Sequence, residues 1–206
     1  MTSELPSWPT TPPTQGAVVL REFSEQDAHL AVEMGSDSYI PLIGTLPAFP
    51  TDQQAAEWVD RQRGRLAEGL GLSFAIADAG SGRAVGSIGL WLQNLSAGRA
   101  TVGYSVSSAH RGRGIASSAL QAVTAFGWTI PELHRIELYI EPWNLGSLHV
   151  AQTAGYQREG LLRSTTNSAE HAATCCCMRV CVHSRPLERA ATATAPGAGR
   201  QLQILG

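Results

Sequence analysis

The sequence contains no lysine. All 15 of its basic residues are arginine, set against 17 acidic residues for a formal charge of −2. Arginine's planar fork suits carboxylates and phosphates better than an ammonium does, but the loss of a whole residue type reads first as a GC-rich genomic bias. Charge is scarce too, at 16% of residues. A dedicated nucleic-acid binder would show a basic face, so nucleic acid is not an expected partner. No run approaches the roughly 18 consecutive apolar residues of a membrane helix, so no membrane partner is expected. Cysteine is confined to Cys175, Cys176, Cys177 and Cys181. Three adjacent cysteines cannot supply paired C-x-x-C ligands, and no second ligand pair stands elsewhere, so no metal site is assigned. Reduced thiols, alternately buried in a strand, are the expected state. The opening MTSELPSWPTTPPTQ carries an acid and prolines where a secretory leader needs positive charge and then an apolar run, which points to the cytoplasm.

What is present is enough for one folded domain. The chain has 206 residues, of which 43% are hydrophobic. Residues 1–15 read as a flexible lead-in and residues 184–206 as a low-complexity Ala, Thr, Gly and Pro tail. The domain between them, 16–183, is mildly acidic, with 12 Arg against 15 acidic residues. Strands are expected at 17–21, 73–77, 84–93, 99–106, 135–140, 156–162 and 173–182. Ser24 followed by Asp27 resembles a capping box that opens a helix to about Met34. Thr51 caps a second helix over 52–70, with Ala55, Trp58, Val59, Gln62 and Leu66 near helical spacing. Further helices fit 115–129 and 145–154. The segment SYIPLIGTLPAFP has three prolines and cannot be one helix. The order β-α-α-β-β-β-α-β-α-β-β makes a mixed α/β (α+β) sheet.

The most informative stretch is VGYSVSSAHRGRGIASSAL, residues 102–120. A strand ends at Val106, a Gly-rich loop follows, and a helix opens at Ile115. Gly112 and Gly114 remove side chains, so the backbone can turn sharply and approach a ligand. The unpaired N–H groups of the helix's first turn, with the helix dipole, make an anion site there. Arg111 and Arg113 add charge, and Ser117 and Ser118 add hydroxyls. This is a diphosphate cradle in outline, yet neither a Walker A loop nor the G-x-G-x-x-G fingerprint fits it.

The spacing Arg111-x-x-Gly114-x-Ala116 resembles the [QR]-x-x-G-x-[GA] acetyl-CoA motif of the GCN5-related N-acetyltransferase (GNAT) family. Downstream, Asn144, Ser147, Gly155, Tyr156, Glu159 and Gly160 resemble that family's second signature. Upstream, LPAFPTDQQAAEWV, VGSIGL and VGYSV are similar to its RimJ/RimL-like branch, which acetylates protein N-termini. The resemblance runs through about residues 16–182. It implies the GNAT fold, a mostly antiparallel twisted sheet of about seven strands splayed at the middle, with flanking helices. It implies acetyl-CoA as co-substrate. Val106, Arg111, Gly112, Arg113, Gly114, Ile115, Ala116, Ser117, Asn144 and Ser147 are then the expected cofactor-binding residues. Val106 would pair with the pantetheine arm, and the amides of residues 111–116 would hold the diphosphate.

The resemblance also assigns chemistry. Ser147 is the expected acid beside the leaving thiolate. Glu141, just past the strand at 135–140, is the expected base. Some relatives carry a catalytic Glu where this chain has Thr166, which cannot be a base at neutral pH. His110, beside the glycine loop, and His134, before a strand, are further imidazole candidates, but phosphate proximity and loop packing account for both. The segment 37–50 lies where the family forms one side of the acceptor groove. Three readings follow. A groove lined by acids would suit the N-terminal α-amine of a protein or peptide, ribosomal proteins above all. A closed aromatic pocket would suit a small-molecule amine, and a blocked groove a non-catalytic acyl-CoA sensor. The first is the leading expectation, and a homodimer is compatible with all three.

Overall fold

The computed structural model describes residues 5–162 and, as a backbone strand, residues 177–181. Thr166, Cys175, Cys176 and the tail over 184–206 lie outside the described residues. The strands are β1 (Thr14–Gln15), β2 (Val18–Arg21), β3 (Gly71–Asp78), β4 (Ala84–Trp91), β5 (Arg99–Val106), β6 (Arg135–Ile140), β7 (Gln157–Leu162) and β8 (Cys177–Cys181). The helices are α1 (Ala28–Gly35), α2 (Ile40–Ile43), α3 (Asp52–Gly64), α4 (Ile115–Gly127) and α5 (Leu145–Thr153). One sheet holds every strand, in the order β1-β2-β3-β4-β5-β6-β8-β7. All neighbours are antiparallel except β5 and β6. Among the described residues no helix is long and apolar enough to cross a membrane.

Both faces of the sheet are covered. One apolar cluster joins Leu20, Phe74, Ile76 and Leu90 of the sheet to Leu120 and Val123 of α4. A second packs Leu30 and Met34 of α1 with Ala55, Trp58 and Val59 of α3. β3 is therefore buried along nearly its whole length, as a strand covered on both sides must be. Each fully buried Leu or Ile in these layers contributes about 1.5–3 kcal/mol relative to exposure.

Helix starts follow their caps. The Thr51 hydroxyl accepts from the Gln54 amide at 3.3 Å and the Gln54 side chain accepts from the Thr51 amide at 2.9 Å, so α3 begins where the sequence indicates. The entry to α1 differs from expectation. A 3-10 turn occupies Glu25–Asp27 and the α-helix begins only at Ala28. The cause is Asp27, which is 1% exposed. Its carboxylate accepts from the Ser24 amide at 2.8 Å and from Arg21 at 2.7 and 2.8 Å, which draws the first turn tight against β2.

The N-terminal residues are another departure. Over 5–15 the lead-in is packed. Thr14 and Gln15 pair with Val19 and Val18, the Leu20 amide donates to the Pro13 carbonyl at 2.8 Å, and the Trp8 ring lies 4.8 Å from that of Phe74. Proline is tolerated in such an edge segment, where few ladder donors are needed.

The pairing that shapes the site is β5 with β6. It comprises Arg99 with Arg135, Ala100 with Ile136, and Thr101 with Glu137. Beyond it β5 stays with β4 and β6 goes to β8, so the two central strands part. Glu137, 1% exposed, closes the paired end. It accepts from Arg99 at 2.7 and 2.9 Å, from Arg135 at 2.7 Å and from the Tyr139 hydroxyl at 2.8 Å. Arg135 also pairs with Glu159. His134 packs beneath Gly98 at this same paired end, and its amide donates to the Gly98 carbonyl at 2.8 Å.

Candidate active site

The loop after β5 turns on two glycines. Gly112 has φ +75° and Gly114 φ +74°, the left-handed region in which a side chain is strained. A Cβ at either would meet nothing within 4 Å, so conformation requires glycine here and the space in front of the loop is open. The amides of Gly112, Arg113, Gly114, Ile115, Ala116 and Ser117 find no acceptor among the described residues. They are the unpaired donors of a helix start, gathered on one turn beside the end of β5.

The arginines divide the work differently from the sequence expectation. The Arg111 side chain donates to the Val106 carbonyl at 3.0 Å and pairs with Asp37 at 2.7 Å. Asp37 in turn accepts from the Tyr39 and Ile40 amides at 2.9 and 3.0 Å and so orders the entry to α2. Burial pushes the Asp37 carboxyl up, but those amides and Arg111 outweigh it and hold it below the ordinary carboxylate value. The charge of Arg111 therefore faces Asp37, and exposed Arg113 is the cation that the loop itself presents. His110 lies 3.2 Å from the Ser107 hydroxyl, which donates to Glu33 at 3.2 Å.

Across the gap stand the residues of the second signature. Asn144 caps α5, its side-chain oxygen accepting from the Ser147 amide at 3.0 Å, which leaves its NH₂ group for another partner. The Ser147 carbonyl accepts from the Tyr104 hydroxyl at 3.4 Å, so β5 touches α5 over the opening. Burial pushes the Tyr104 phenol above its usual value, so it stays protonated. Glu141 accepts from the Tyr39 hydroxyl at 2.7 Å, and its carbonyl accepts from the Asn144 amide at 2.9 Å. The Tyr39 ring stands edge-on to Trp143 at 4.9 Å. A continuous path thus runs from the loop through Arg111, Asp37 and Tyr39 to Glu141, Asn144, Ser147 and Tyr104.

A groove of about 300 Å³ opens beside Tyr104, between the α1–α3 layer and β3–β5. Trp58, Trp91 and Tyr104 give it aromatic walls, and Gln62, Ser73 and Arg65 give it polar ones. Among the described residues no Asp or Glu lines it. Asp37 is paired with Arg111 and Glu33 with Arg83. Nor is the groove blocked. Gly89 and Gly103 face each other in β4 and β5, and a Cβ on Gly89 would come within 2.4 Å of the Trp91 ring. The paired glycines leave the floor low enough for that indole to lie across it.

Sequence reasoning missed Asp37, Tyr104 and Arg65. For Tyr104 a signal existed, a Gly-Tyr pair in the strand that leads into the loop. For Asp37 and Arg65 there was none, because the contacts that give them a place in the site, with Arg111 and with Trp91, are distant in sequence. Among the described residues no group of three or more His, Cys, Asp or Glu could hold a metal ion.

The sequence model of a family described as an acetyltransferase (GNAT) domain matches residues 17–157. A protein of Bacillus licheniformis named as the uncharacterized N-acetyltransferase p20 is 30% identical over 146 residues, which are 71% of this chain and 82% of that one. The structure of RimJ from Mycobacterium smegmatis with a CoA disulfide superposes with a TM-score of 0.67 at 24% identity, over 84% of each chain. AAC(6')-Ib with paromomycin and acetyl-CoA gives 0.64 at 19% identity, over 87% of this chain and all of that one. At these identities the two structural likenesses are of fold alone.

Proposed function

Because this chain belongs to the GNAT acetyltransferase family and is an acetyltransferase, we propose that it acetylates a primary amine, first among them the N-terminal α-amine of a protein or peptide. The observation that carries the reading is the path from the glycine loop to Ser147. It puts unpaired amides, a carboxylate, a hydroxyl and an open groove around one gap in the sheet.

Acetyl-CoA supplies an activated thioester, and the residues present fit it. The open space before Gly112 and Gly114 and the unpaired amides from Gly112 to Ser117 suit a diphosphate. The Asn144 NH₂ group and the backbone at Val106 suit the amide-bearing pantetheine arm. Arg111 acts by holding Asp37, and through it the α2 side of the groove. Glu141 takes the proton of the incoming ammonium, directly or through water. An α-amine, with a pKa near 8, gives that proton up more readily than a lysine near 10.4. The Ser147 hydroxyl donates to the leaving sulfur, and the Val106 amide to the oxygen that gains charge.

The aromatic walls Trp58, Trp91 and Tyr104 favour a second reading, a small-molecule amine. One experiment separates the two. Acetyl-CoA is offered with N-terminal peptides, lysine peptides blocked at the N-terminus, and small amines, and products are read by mass. A gain of about 42 Da confined to free N-termini is expected. A gain on small amines alone would move the second reading to the front.

A further inference from the structure

The geometry points to an acceptor that carries, besides its reactive amine, a carboxylate held by Arg65. This rests on the reading of the chain as an amine acetyltransferase and names the acceptor's chemistry. Among the described residues Arg65 is the only charged one lining the groove. Its side chain is 16% exposed, and its Nε–H is buried with no acceptor. A buried donor left unpaired is costly, so the guanidinium is held here at an expense that an acceptor meeting its exposed part would offset. Its one ionic partner among the described residues, Glu68, stands 3.6 Å away and is half exposed, so the charge is only partly met.

The guanidinium is also fixed in place. It sits 5.8 Å from the centre of the Trp91 ring, and Trp91 lies over the floor that Gly89 and Gly103 keep low. Gln62, which shares the groove, is held by Ser73 at 3.0 Å and by the Trp58 carbonyl at 3.2 Å. The result is a fixed cation on an aromatic wall in a space without a carboxylate. A polyamine or a lysine-rich end would bring a second positive charge against Arg65 and would be rejected. A carboxylate meets a fork that can bind it through two parallel hydrogen bonds. An acidic side chain near a peptide's N-terminus and a small amino acid both supply that group.

The test compares kcat/KM on matched acceptors. Peptides with amidated C-termini carry Asp, Asn or Lys at the second position, and β-alanine is set against β-alaninamide. The parent should prefer the carboxylate member by about tenfold or more, through KM. The Asp peptide and β-alanine tell which source is used. Arg65→Gln should bring each pair within about twofold and leave the KM for acetyl-CoA unchanged, whereas Arg65→Lys should keep part of the preference. Glu68→Gln removes the competing carboxylate outside the groove and should strengthen the preference, a gain that misfolding cannot imitate. Equal rates within both pairs, Asp against Asn peptide and β-alanine against β-alaninamide, preference for the Lys peptide, or an equal loss on every acceptor in Arg65→Gln would overturn the inference. If no amine is acetylated, tryptophan fluorescence titrated with the N-acetylated Asp and Asn peptides decides. Asp-selective quenching that Arg65→Gln abolishes keeps the carboxylate site and removes the amine-transfer reading. Unselective quenching removes the site.

Discussion

Ser147 and Glu141 differ in how the protein holds them. The Ser147 amide is committed to Asn144, while its hydroxyl has no partner among the described residues. Ser147→Ala should therefore leave the fold and the dissociation constant of acetyl-CoA unchanged and lower kcat by about tenfold to a hundredfold. Turnover equal to the parent's would end the acid role. Glu141 is held by Tyr39, a residue 102 positions away in sequence. This is where reading the chain reached its limit. Gly112 and Gly114 were legible because a tight turn before a helix restricts the local backbone. The pairing of Arg111 with Asp37 was not, because only the folded α1–α2 connection brings the two together. Nothing local distinguishes an arginine that faces a phosphate from one that faces an aspartate.

At the scale of elements, caps and registers decide. Asp27 joins the end of β2 to the start of α1. Burial raises its carboxyl, but the bonds from Arg21 and Ser24 outweigh this and hold it below its ordinary value. A carboxyl depressed on folding contributes stability that is present above the unfolded pKa of about 3.9 and is lost as pH falls through the folded value. Asp27→Asn should cost about 1–3 kcal/mol at neutral pH and should flatten the fall in stability below about pH 4, as denaturant titration at several pH values would show. An undiminished acid limb would place that dependence elsewhere. The element order and the meander were legible because period-2 runs alternate with turn residues. The 3-10 entry to α1 was not, since it depends on Arg21 reaching across. The facing glycines of β4 and β5 make a sharper case. Gly89→Val should displace Trp91 and raise the acceptor KM by about tenfold or more while acetyl-CoA still raises the melting temperature as in the parent. Loss of both responses together would mean a fold defect.

For the whole molecule, the N-terminal segment matters more than its composition suggests. Proline and threonine read as loose chain, yet Trp8 closes over Phe74 and Thr14–Gln15 lengthen the sheet. One aromatic residue and one edge register did this, and neither shows in a composition average. Trp8→Ala should cost about 1–3 kcal/mol, since the ring is only partly buried, and lower the melting temperature by several degrees in a scan of the full chain. An unchanged midpoint would mean that the segment is passenger rather than cover.

The short parallel pairing of β5 and β6 has a mechanical consequence. Strands advance about 3.3 Å per residue, so the five steps from Thr101 to Val106, which β5 takes together with β4, form a lever of about 16 Å from the pivot where Glu137 grips Arg99 and Arg135. A tilt of about 5° at that pivot would swing the tip by about 1.4 Å, enough to make or break a hydrogen bond there. The arginines around Glu137 hold the aim of a site they never touch.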